Sequence, residues 1–122
     1  MWPWEHLAVG YLCYSLLTRA RGRPRPSGPA VVALALGTQF PDLIDKPLAW
    51  GLGVFDSGVA LGHSLFFALP VATAAVLLGR RTDHSVVAVA FAVGYLSHLP
   101  MDLAYPLALG RPVSIQALLW PL

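Results

Sequence analysis

An all-helical, multi-pass membrane bundle is the fold class this sequence predicts, and three observations carry the prediction. The chain is 57% hydrophobic and only 11% charged over 122 residues. An average soluble domain is about 25% charged, so a bilayer is the expected solvent. The apolar residues form continuous runs without the two-residue alternation of a membrane barrel. The arginines fall mainly in two short clusters, Arg19–Arg25 and Arg80–Arg81, that punctuate those runs. The reading is one domain, residues 1–122, with about four transmembrane helices over residues 4–18, 29–45, 60–79 and 85–105.

The first span begins with Trp2 and Trp4, rings that suit the headgroup level, and continues through the apolar stretch Leu7–Leu17. No basic residue precedes that stretch, so it reads as a retained membrane segment and not a cleaved signal. The segment from Arg19 to Pro29 is a loop, since its prolines and glycines break helix and strand alike. Pro29 suits the start of the second span, which ends in Phe40-Pro-Asp-Leu-Ile-Asp-Lys-Pro47. Lys46–Gly62 reads as a glycine-rich interfacial loop. The third span contains Pro70, whose freed carbonyl a neighbouring helix can satisfy. Residues 80–84 form a tight polar loop. The fourth span follows, with Pro100 and Pro106 expected to bend or end it. The tail closes on Leu119-Trp-Pro-Leu122, another interfacial signature. Cys13 has no partner for a disulfide and no CxxC pair exists for a thiolate metal site, so it reads as a small buried hydrophobe.

Four spans in up-down order put both arginine loops on one side, which the positive-inside rule makes cytoplasmic. The N-terminus is then extracytoplasmic, in the inner membrane of the cell. The same order places His6, Asp42, Asp45, His63, His98 and Asp102 at the opposite, outer end. Only His84 falls at the inner end, in the solvated loop. The topology rests on arginines and apolar runs alone, so this convergence is independent of it.

Ionisable groups in spans are costly and usually face a bundle interior, paired or functional. His98 and Asp102 are four residues apart, one turn along one helix face, and that spacing lets an imidazole and a carboxylate share an ion. Three histidines and three aspartates make an N/O donor set. It suits zinc, with manganese or iron as alternatives, better than calcium or a thiolate-selected metal. Six groups exceed one tetrahedral site, so either two ions share a carboxylate or one ion takes four and the others support it. A divalent ion would give a nucleophilic hydroxide at neutral pH, with Asp42 or Glu5 as general base. Structural roles stay open for each group. His98 and Asp102 suit a buried hydrogen-bonded pair. Asp42 and Asp45 suit a helix end, with Asp45 paired to Lys46. His63-Ser64 suits a helix cap, and His6 with Glu5 an interfacial polar pair. The chain has no G-x-S-x-G elbow and no phosphate-cradling loop. It also has no basic run interleaved with aromatics, so nucleic acid is not an expected partner.

Several short motifs recur in one known order: an N-terminal His before an apolar segment, Pro41-Asp42 with a second Asp close behind, His63-Ser64 opening a helix, Gly94-Tyr-Leu-Ser-His98 with Asp102, and Leu119-Trp-Pro. In this the chain resembles the membrane-bound metal-dependent hydrolases of the YdjM type, over nearly its whole length. That family is grouped with the zinc-dependent phospholipase C and single-strand nuclease superfamily. The resemblance implies His6, Asp42 or Asp45, His63, His98 and Asp102 as metal ligands and phosphoester hydrolysis as the activity. The chain departs from the family in Gly58-Val-Ala-Leu-Gly62, where many members carry His-Arg-Gly, and from the superfamily in having a single HxxxD pair. A trinuclear site is therefore not implied.

The expectation is a metal-dependent membrane hydrolase with one or two zinc-like ions, acting on a lipid or other amphiphilic phosphoester. The alternative is a non-catalytic metal-binding membrane protein serving transport, sensing or structure. A transport path wants polar groups near the midplane and on both faces, and here they keep to one end. So short a four-span chain is also a candidate homo-oligomer.

Overall fold

Proline at the first helical position is pre-set for helix entry and sacrifices no hydrogen bond. In the computed structural model, which describes residues 1–122, Pro3 opens α1, Pro3–Ala20. Ser27 caps α2, Gly28–Lys46, its hydroxyl accepting the Ala30 N–H at 3.4 Å. One turn of π-helix, Pro47–Gly51, prolongs α2, inside the stretch expected to be loop. Ser64 caps α3, Leu65–Arg81, by accepting the Phe66 N–H at 3.2 Å. Arg80 and Arg81 occupy the last turn of α3, where cations complement the helix dipole. A short turn through Asp83, at φ 58°, leads into α4, Ser85–Ala108.

The four helices follow the order of the four predicted apolar segments, and there are no strands. Two boundaries differ from expectation. Helix α3 starts at Leu65 and not at residue 60, because the Asp45 carboxylate collects the N–H groups of Ala60, Gly62 and His63 and holds that stretch as a loop. Helix α4 runs through both Pro100 and Pro106 to Ala108. Membrane crossing is also narrower than expected. Only α4 is long and apolar enough to be a candidate span. At 17 to 19 residues, α1, α2 and α3 reach about 26–29 Å, just short of a hydrocarbon core of about 30 Å.

Helix α4 is the centre of the bundle. It packs against α1, α2 and α3, and α3 meets no other helix. The core mixes alanines with a few large residues. Ala30, Ala33, Leu34, Ala90 and Tyr14 form one cluster, and Ala68, Tyr95 and Leu99 another. Glycines set the closest approach. A Cβ on Gly37 would collide with the Phe91 carbonyl, and one on Gly94 with the Leu34 carbonyl. Small residues facing each other in this way let helix backbones approach closely without a large apolar core. Many large apolar side chains face outward, among them Leu12, Leu16, Val32, Leu36, Phe66, Leu69 and Leu78. Cys13 is exposed as well, not buried as expected, because α1 turns that face away from α2 and α4.

The tail folds back onto one end of the bundle. The Leu118 carbonyl accepts the Leu65 N–H at 3.0 Å, and the Trp120 carbonyl accepts the Ser64 hydroxyl at 2.6 Å. Phe55 meets the Trp120 ring edge-on. The end so covered is the one that carries the histidines.

Candidate metal centre

Four separate segments deliver the polar residues to this end. The first turn of α1 brings His6, the last turns of α2 bring Asp42 and Asp45, the loop before α3 brings His63, and α4 brings His98 and Asp102. His6, His63, His98 and Asp45 are each at most 2% exposed. Asp102 is the hub. Its Oδ2 lies 3.2 Å from His63 Nε2 and 3.1 Å from His98 Nε2, and its Oδ1 lies 3.1 Å from His6 Nε2. His63 Nε2 and His98 Nε2 are 3.1 Å apart. Asp42 Oδ1 closes the group at 3.5 Å from His63 Nε2 and 4.0 Å from His98 Nε2. Ligands bonded to a tetrahedral ion at 2.0–2.2 Å stand about 3.3–3.6 Å apart, so these separations are on the scale of one coordination sphere.

Hydrogen bonding on the far side of each ring fixes what the near side offers. His98 Nδ1 is 2.6 Å from the Thr38 carbonyl, which can only accept, so the proton sits on Nδ1. His63 Nδ1 is 2.7 Å from Asp45 Oδ2 and is protonated for the same reason. Asp45 is held in turn by the N–H groups of Ala60, Gly62 and His63 at 2.7, 2.8 and 3.3 Å. In the neutral rings both Nε2 atoms are therefore lone pairs, and they point at each other between two carboxylates. Such an arrangement calls for a cation. Without a metal the cation is a proton. Burial opposes it, but Asp102 and Asp45 outweigh burial and push His63 up to about 9.

His6 stacks flat on His98, with ring centroids 3.7 Å apart. Its Nδ1 is buried with no hydrogen-bond partner, an uncommon and costly state for a buried polar atom. Two donor triads, His6–His98–Asp102 and Asp42–His63–His98, have ligand atoms within 4.8 Å of one another and could hold an ion. They share His98, whose one free nitrogen is Nε2, so they are alternatives for one ion and not two independent sites. The donor set is imidazole and carboxylate only, which fits a zinc-type ion.

A cavity of about 260 Å³ opens beside the cluster. His6, Asp42, His63 and Asp102 form its polar floor, with Lys46 and Ser114 at the side and Leu103 and Leu118 as apolar wall. The Lys46 ammonium pairs with Asp42 Oδ2, not with Asp45. Sequence reasoning did not place Lys46, Ser114 or the Thr38 carbonyl at the site. Lys46 and Asp42 are four residues apart, which was the available signal; a backbone carbonyl leaves none. Glu5 is not in the cavity lining. Its carboxylate accepts the Trp2 N–H at 2.7 Å and closes the first turn of α1. His84 stays in the far loop, bonded to the Thr82 carbonyl.

No curated protein and no solved structure matches this chain. A family description does match it, over residues 1–122, and it is that of an inner membrane protein. The short helix-borne motifs, the buried histidine–aspartate cluster and this end-to-end match agree, and the chain belongs to the YdjM inner membrane protein family.

Proposed function

We propose that the chain is an integral-membrane, metal-dependent hydrolase acting on a phosphoester, with a lipid headgroup as the substrate class. The observation that carries this reading is the pair of Nε2 atoms, of His63 and His98, held 3.1 Å apart between Asp42 and Asp102. His63, His98, Asp102 and Asp42 are the ligands. Asp45 and the Thr38 carbonyl orient the two rings from behind, the usual arrangement for metal-bound histidine. His6 completes the sphere or holds Asp102 in place through Oδ1. A zinc-type ion bound there supplies Lewis acidity and a nucleophile at neutral pH.

The chain's own groups support a phosphoester. Lys46 brings positive charge to the rim of the cavity, where an anionic group can meet it. Asp42 faces the histidines through Oδ1 and Lys46 through Oδ2, so it ties the rim of the cavity to the ligand set. The apolar wall of Leu103 and Leu118 suits the acyl end of an amphiphile. The outward leucines of α1, α2 and α3 support a multi-pass placement, with the tilted or thinned bilayer that short helices require. The arginine loops would then be cytoplasmic and the cavity extracytoplasmic. Turnover of phospholipids and of a chromogenic phosphodiester by the purified chain, lost on chelation and restored by zinc, is the expected result. Bound metal without turnover on either substrate would leave a binding protein and overturn the hydrolase reading.

A further inference from the structure

A second, larger cleft lies at the opposite end of α1, and the geometry points to an anionic phospholipid as its ligand. Its arginine end lies thirteen residues of one helix, about 20 Å, from His6, and no residue lines both this cleft and the histidine cavity, so it is separate from the histidine cluster and independent of the hydrolase reading. After Ala20 the chain folds back on itself. The Gly22 N–H donates to the Arg19 carbonyl and the Arg23 N–H to the Thr18 carbonyl. Gly22 adopts φ 62°, a conformation that residues with a side chain rarely take. The result is a cleft of about 640 Å³ with two unlike walls. Arg19, Arg23 and Arg25 supply one, and Tyr11, Leu12 and Leu16 the other.

Three features select the ligand. None of the chain's arginines makes an ion pair within the molecule: every ion pair gathers at the histidine end and takes its cation from a histidine, Lys46 or the N-terminal amine. Three guanidiniums beside one cleft are thus uncompensated, and guanidinium matches phosphate oxygens in bidentate fashion. Ser15, which lines the cleft, has a buried hydroxyl oxygen without a hydrogen-bond partner. The apolar wall then runs along the exposed flank of α1 through Leu12 and Leu16, where an acyl chain can lie. A free phosphate would use the arginines and make no contact with the leucines. A zwitterionic lipid would use the leucines and bring no net charge. An anionic phospholipid uses both, and the positive-inside rule puts this end at the leaflet surface where basic residues meet anionic headgroups.

The test uses the full chain in a neutral detergent, titrated with phosphatidylglycerol or phosphatidylcholine, with bound lipid counted by native mass spectrometry. Phosphatidylglycerol is expected to bind at least about tenfold tighter. R19Q/R23Q/R25Q is expected to lose at least about tenfold of that affinity, while R80Q/R81Q/R111Q, the same charge change elsewhere, stays within about twofold. L12A/L16A, altered only at exposed positions, is expected to weaken both lipids and keep the preference. Helical circular dichroism checks that each variant is folded. Equal binding of the two lipids overturns the proposal. So does an equal loss in both arginine triples, which would mean net charge alone. Displacement of phosphatidylglycerol by equimolar inorganic phosphate, or an unaffected L12A/L16A variant, would make the cleft a simple anion site and overturn the lipid assignment.

Discussion

At the residue scale, Asp45 decides the character of the centre. Its carboxylate is fully buried, yet it faces the back of His63 and three backbone N–H groups. In this account it holds His63 in the tautomer that leaves Nε2 free. Asp45→Asn keeps the shape and removes the charge, and the expected effect is a loss of about 10–100-fold in zinc affinity with the ion still bound, read by competition against a chromophoric chelator. His63 supplies a pH signature. In the metal-free protein its pKa is raised to about 9 from 6.5. At neutral pH an incoming ion must therefore displace a proton, so affinity rises with pH and levels off near 9. Calorimetry in buffers of different ionisation enthalpy measures the proton released; none released at pH 7 would contradict this.

The residue scale also shows what was legible in the sequence. His98 and Asp102 were readable as a pair, because four residues is one helical turn and α4 keeps its course through Pro100. His6, Asp42 and His63 were readable as neighbours from the alternation of arginine loops and apolar runs. The division of labour between Asp42 and Asp45 was not. It depends on which carboxylate meets the backbone of residues 60–63, a contact 15 to 18 residues away in sequence. The composition of the tail marks it as interfacial, and nothing in it says that its carbonyls close onto Ser64 and Leu65.

At the scale of elements, the crossing of α2 and α4 positions both halves of the site. Thr38 and Asp42 lie on one helix and His98 and Asp102 on the other, and the approach that joins them is permitted by Gly37 and Gly94. The alanine-rich core buries little side-chain area per residue, so close backbone packing replaces bulk. Gly94→Ala forces its Cβ against the Leu34 carbonyl and is expected to cost about 1–3 kcal/mol. The same change at Gly28, which has open space around it, serves as the control. Thermal unfolding in detergent compares the two variants. Equal midpoints would show that the crossing tolerates a methyl group and that the glycines do not set it.

At the scale of the whole molecule, charge and chemistry lie at opposite ends. Six arginines sit at one end, in the last turns of α1 and α3 and the loop after α1, and the histidine–aspartate cluster sits at the other. The polarity fits a protein that anchors by its basic face and works at the other. Single cysteines introduced into 19–28 and 46–60, with Cys13 replaced by Ala, test it. A membrane-impermeant maleimide applied to intact cells is expected to label the second loop and spare the first. Labelling of 19–28 from outside would reverse the orientation.

Whether this end of the bundle holds a divalent metal ion is decided by elemental analysis of the purified full chain. About one equivalent of a zinc-type ion per chain is expected, lost in His98→Ala/Asp102→Ala while the helical circular dichroism persists. A metal-free wild-type protein after reconstitution with zinc, or undiminished metal in that double variant, would contradict it.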